Sequence, residues 1–126
     1  MTYLQRLDTP PDPAQLNDGD RRYLQSNFEV ETSNIVIPGH EIFWDQVDEV
    51  EVAQAARAAG PAGWLVRHII HGSERYHVAI YYGRQEAVLP NLTFNAACYI
   101  VQSIAFYVPG RVRYYGPEGI APLTEY

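Results

Sequence analysis

Between Asn91 and Val108 the run NLTFNAACYIVQSIAFYV sets Ala97, Ile100, Val101, Ile104 and Val108 at spacings of three and four, one apolar stripe along a helix. Such a stripe needs a surface to cover it. Asn91 or Thr93 supplies an N-cap oxygen for the free amides of the first turn, and Pro109-Gly110 stops the helix, because proline cannot continue the backbone ladder and glycine accepts a left-handed turn. Asn95, Gln102 and Ser103 leave one side for water. They and Pro90 break the apolar run below the roughly 18–20 residues that a bilayer requires. The pattern predicts a helix that closes a sheet.

Upstream, the period changes from helical to alternating. Phe28, Val30 and Thr32 oppose Glu29, Glu31 and Ser33; Ile35-Val36-Ile37 follows Asn34, and Glu41-Ile42-Phe43-Trp44 follows the Pro38-Gly39 turn. These are three short strands, each with a dry and a wet face. Trp64–His71, Tyr76–Gly83 and Gln85–Leu89 read as an antiparallel meander turned at Gly72-Ser73-Glu74-Arg75 and at Gly83-Arg84. Pairing His71 with Tyr76 sends Val78, Ile80 and Tyr82 to one face, and Trp64, His68, His77, Ala79 and Tyr81 to the other. Both faces are substantially apolar, so each needs cover from the helix, a second layer or another subunit. Arg111–Tyr115 adds a last strand. Residues 45–59 support two readings: a strand through Val52 with a helical or irregular tail, from Val47, Val50 and Val52 alternating with acids, or a helix from Asp45, from the alanines ahead of Gly60-Pro61.

Pro10, Pro11 and Pro13 among Asp8, Asp12, Asp18 and Asp20 mark residues 1–27 as an extended or partly ordered lead-in, with a short helical turn at Asp20–Gln25. Residues 28–115 form a single α+β domain and residues 116–126 a tail.

Composition narrows the functional classes. At 126 residues, 47% hydrophobic and 13% aromatic, the chain is globular with one real core. Its formal net charge is −6 and it contains no lysine, which argues against nonspecific nucleic-acid or anionic-membrane binding. The opening MTYLQRLDTPPDPAQ lacks the apolar core of a secretion signal, so the cytoplasm is the expected compartment and the Asn91-Leu92-Thr93 sequon carries no weight. Cys98 is the only cysteine, which excludes an intrachain disulfide and any multi-cysteine metal site.

The Thr32-Ser33-Asn34 turn after the opening strand, the spacing of Ile42, Trp44, Val47 and Val50, the meander and the single C-terminal amphipathic helix together resemble bacterial pleckstrin-homology-like, or GRAM-like, domains. The resemblance covers residues 28–108. It implies strands bent into a small barrel or two near-orthogonal sheets, with the helix plugging one open end. The basic loop that phosphoinositide-binding members use is missing. The alternative is a profilin-like α+β arrangement with an inner helix at 45–59.

Candidate chemistry is sparse. His68 and His77 are diagonal neighbours on one face of the expected hairpin, with β-carbons roughly 7–8 Å apart, but nothing fixes a third metal ligand. Asp45, Asp48, Glu49 and Glu51 alternate with valines as a solvated face does, without the glycine turn of a calcium loop. Ser73 and Ser103 lack a nucleophile-elbow motif, no glycine loop cradles phosphate, and Cys98 reads as an inert buried thiol. Arg111 and Arg113 beside Phe106, Tyr107, Tyr114 and Tyr115 combine guanidinium and aromatic groups able to grip an acidic or phosphorylated partner.

The expectation is therefore a non-enzymatic interaction or scaffolding domain without cofactor or metal, self-associating or binding a protein partner. Trp64, Tyr81, His68, His77, Tyr107, Arg111, Arg113, Tyr114 and Tyr115 are its candidate contact residues. The alternative is a small-molecule or lipid-headgroup domain, with a pocket between sheet and helix that uses His68, His77 and Tyr81, or with a basic pocket around Arg67, Arg75 or Arg84.

Overall fold

The computed structural model describes residues 1–54 and 75–125, and within them the chain is α+β. In chain order the strands are β1 (Thr2–Leu4), β2 (Glu29–Val30), β3 (Asn34–Ile37), β4 (His40–Phe43), β5 (Val47–Gln54), β6 (Tyr76–Tyr82), β7 (Gln85–Leu92), β8 (Arg113–Tyr115) and β9 (Leu123–Glu125). Helix α1 (Asp18–Asn27) lies between β1 and β2, and helix α2 (Phe94–Tyr107) between β7 and β8. The main sheet has the order β7-β6-β5-β8-β1-β9, and β2-β3-β4 make a second sheet. The described strands pair antiparallel except β5 with β8, and they form no closed barrel.

Local chemistry explains the expected elements that are described; the expected strand Trp64–His71 lies outside the described residues. Gly39 turns β3 into β4 at φ 82°, and Gly83 turns β6 into β7 at φ 60°, the first position of a two-residue hairpin loop, where the positive φ strains a residue that carries a side chain. Thr93 is the N-cap of α2, its Oγ1 accepting from Ala96 N at 3.1 Å. Asn91 instead takes φ 58°, the left-handed region that asparagine tolerates. The stripe Ala97, Ile100, Val101, Ile104 and Val108 is buried throughout, as its spacing predicted. It packs with Val50, Ile80 and Tyr114 of the main sheet and with Ile35 and Ile42 of the second. Each fully buried isoleucine contributes about 1.5–3 kcal/mol relative to exposure. Trp44 ties the two halves together. Its indole donates to Glu31 O at 2.9 Å and stacks on Tyr107 with ring centroids 5.0 Å apart.

Four expectations need correction. Residues 47–54 are a strand, so the inner helix does not hold there; Val47, Val50 and Val52 point into the core and the acids between them point out. The strand reading through Val52 holds, and the alanine-rich segment from residue 55 lies outside the described residues. The N-terminal segment is no lead-in. Thr2–Leu4 lies inside the main sheet between β8 and β9, with Leu4 opposite Leu123, which also draws residues 123–125 of the expected tail into the sheet. The short turn at Asp20–Gln25 is a ten-residue helix started by Asn17, whose Oδ1 accepts from Asp20 N at 2.7 Å. Finally, Ser103 is buried, because its hydroxyl donates to Tyr99 O at 2.7 Å and so needs no water.

Candidate functional site

Register sets the chemistry of the main sheet. Side chains alternate between its faces, so Val50, Val52, Val78, Ile80 and Tyr114 turn inward, and the residues between them turn outward. On the outer face one row crosses all six strands: Glu86 on β7, Tyr81 on β6, Glu49 on β5, Arg113 on β8, Tyr3 on β1 and Thr124 on β9. The next row is Val88, Ala79, Glu51 and Tyr115. Val88 and Tyr115 are each 46% exposed.

The row is charge-ordered. Acids hold the β7–β6–β5 half, where partial desolvation and then the carboxylates of Glu51, Glu86 and Glu49 push the Tyr81 phenol above its ordinary value. The other half is Arg113, Tyr3 and Thr124, with Arg111 just ahead of β8 at its margin. Arg113 Nε lies 3.4 Å from Glu49 Oε1, and the Arg111 guanidinium lies 5.7 Å from the Tyr3 ring centroid.

Of the candidate contact residues, the structure brings Tyr81, His77, Arg113 and Tyr115 onto this face, with Arg111 at its margin. His77 is committed to its own hairpin, its Nδ1 accepting from Asn91 N at 3.2 Å. Tyr107 is taken by the Trp44 stack. Tyr114 is not a surface residue: it is buried, its hydroxyl donates to Pro117 O at 2.7 Å, and burial, with a smaller effect from Cys98, pushes its pKa up to about 12. Trp64, His68 and Arg67 lie outside the described residues. Arg75 and Arg84 flank opposite ends of the seven-residue strand β6, about 20–25 Å apart at strand rise, so they form no common basic pocket. Tyr3, Glu86 and Val88 join the face without having been singled out in the sequence, because their placement depends on pairings far apart in the chain.

Apart from the sheet face, a crevice lies where residues 9–16 adjoin α2. A polar crevice of about 660 Å³ holds Thr9, Asp12 and Gln15 on the loop side and Asn95, Cys98, Tyr99 and Gln102 on the helix side. Tyr99 and Leu16 also line a neighbouring, more apolar crevice of about 730 Å³ against Leu24, Phe28 and Val30. Cys98 is half-buried rather than enclosed, and burial pushes its thiol up, toward the protonated form. Among the described residues no group of three or more His, Cys, Asp or Glu is placed to hold a metal ion, and no helix is long and apolar enough to cross a membrane.

Comparison with known proteins adds no relative to this geometry: no protein-family model, no curated protein and no solved structure matches the chain.

Proposed function

We propose that this domain is a non-enzymatic interaction module that pairs with a second copy of itself through the outer face of its main sheet. The charge order of the outer row carries the reading. A two-fold axis lying between two facing sheets, parallel to the strands and over the β5–β8 boundary, reverses the row onto itself. Glu49 then meets Arg113 of the partner subunit, Tyr81 meets the partner's Tyr3, and Glu51 meets the partner's Tyr115. The acidic half of each copy faces the Arg113 half of the other. Sheets packed face to face lie about 10 Å apart and cross at about −30°, so only the central strands need this match. Exposed Val88 and Tyr115 supply the apolar area, and tyrosine and arginine are the residue types enriched in interface cores.

A charge swap tests it. Arg113→Glu puts like charges together at two symmetric positions and weakens the dimer by about tenfold to a hundredfold; the double variant Glu49→Arg/Arg113→Glu restores it. Light scattering after size exclusion over a concentration series reads the dimer directly. A strict monomer at every concentration, or a double variant no tighter than the single one, overturns the proposal.

A further inference from the structure

The polar crevice between the proline-rich loop and α2 is independent of the sheet face. Asn95, Cys98, Tyr99 and Gln102 follow the i, i+3, i+4, i+7 spacing, so they share one side of the helix, roughly opposite the buried stripe. On a free helix that side would meet bulk water. Here residues 9–16 border it, leaving an open-sided crevice of about 660 Å³ with Thr9, Asp12, Gln15 and Asn95 at its exposed rim.

The wall mixes donors and acceptors. Asn95 and Gln15 bring amides, and Thr9 and Tyr99 bring hydroxyls. Gln102 Nε2 is committed to Ile120 O at 2.9 Å, which leaves its carbonyl oxygen as an acceptor. Asp12 Oδ1 accepts from Ala14 N at 2.9 Å; the Tyr99 phenol is raised chiefly by burial, against a lowering bond to Ser103, with Tyr107 and, least, Asp12 adding to the rise. No cationic side chain lines this crevice, so an anionic ligand would meet one carboxylate and no counter-charge. Pro10, Pro11 and Leu16 add apolar surface beside the polar groups.

We propose that this crevice binds a neutral, hydroxyl-rich small molecule of the saccharide or polyol class. Each hydroxyl of such a ligand donates and accepts at once, which suits a wall of amides, hydroxyls and one carboxylate. Its C–H faces suit the prolines, Leu16 and the Tyr99 ring. Burying these hydroxyls is favourable only if they are paired, so the site discriminates against analogues that lack them.

Cys98 is a built-in reporter, since it lines the crevice and is the only cysteine in the chain. The experiment measures the alkylation rate of Cys98 by iodoacetamide in the full chain, with glucose, maltose or sorbitol as probes and glucose 6-phosphate as the anionic comparison; saturation-transfer NMR is run on the same compounds. At least one neutral probe is expected to slow alkylation saturably in the range of about 1–10 mM, and to show saturation transfer. Asn95→Leu, at an exposed position of the wall, is expected to raise the half-protecting concentration by about tenfold, measured against that variant's own unprotected rate. Absence of both protection and saturation transfer for every neutral probe overturns the proposal, and so does equal binding of the phosphorylated sugar.

Discussion

Thr93 holds two helices at once, and replacing it tests how far that junction stabilises the fold. Its Oγ1 accepts from Ala96 N at 3.1 Å, which caps α2, and donates to Asp20 Oδ2 at 2.7 Å. Asp20 is buried in the first turn of α1, so the two helix N-termini share this hydroxyl. Thr93→Ala removes the cap, at about 1 kcal/mol. It also leaves a buried carboxylate without its hydroxyl donor, at about 1.5–3 kcal/mol. The expected loss is therefore about 2.5–4 kcal/mol, whereas Thr93→Ser keeps both bonds and should cost about 0.5 kcal/mol. Asp20→Ala removes the same bond from the other side but leaves the cap, so a double-mutant cycle isolates a coupling of about 1–2 kcal/mol. Urea unfolding of the parent chain, the three single variants and the double variant at one protein concentration and near-neutral pH supplies the numbers, the fixed concentration keeping any contribution from self-association common to all. An additive cycle, or a Thr93→Ala loss below about 1 kcal/mol, would refute the shared-hydroxyl account.

Further outcomes follow from single contacts. A Cβ on Gly116 would lie 2.8 Å from Val52 O and 2.9 Å from the Tyr114 hydroxyl, with φ 154°, so Gly116→Ala should destabilise by about 2–3 kcal/mol in urea unfolding. Gly110→Ala meets no atom within 4 Å and should be neutral or stabilise by up to about 1 kcal/mol in the same assay. Tyr114 has a folded pKa of about 12, above the ordinary value of 10, so the stability it confers is complete below pH 10 and is lost as pH rises through 12. Tyr114→Phe should lower stability by about 1 kcal/mol at neutral pH through the bond to Pro117, and flatten the decline above pH 10; equal slopes in alkaline unfolding titrations would contradict this. Ile100→Ala, at a fully buried position in the stripe of α2, should cost about 2–5 kcal/mol in thermal or urea unfolding.

These contacts divide by how visible they are in sequence. The α2 stripe, its threonine cap and the glycine turns at Gly39 and Gly83 each depend on neighbours within a few residues, so their signals survive in a single sequence. Strand β5 was readable on one of two patterns, and the inward valines decided it because only a period of two keeps Val50 and Val52 in the core. Helix α1 left a faint signal: Asn17 caps it, but along its length only Leu24 and Asp20 are buried, too few for a stripe. Strand β1 left none, since three residues cannot show alternation and their partners lie at Arg113 and at Leu123–Glu125.

The candidate face was partly legible for the same reason. Tyr81 and Arg113 stood out by chemistry, but Arg113 was grouped with its chain neighbours Tyr107 and Tyr114, both of which the fold turns to internal work. What joins Arg113 to Glu49 is the parallel pairing of β5 with β8, and what joins Tyr3 to Arg113 is the insertion of β1 beside it. Both are non-local choices made by the whole sheet. The alternation of acid and valine in β5 thus has two consequences. The valines hold the core, and the acids between them supply Glu49 and Glu51 to a face whose opposite charge comes from a strand sixty residues later. Arg113→Glu spares Tyr114 and the core but also breaks the intrachain pair with Glu49, so the double swap, which rebuilds that pair with its charges exchanged, is the variant that separates association from folding.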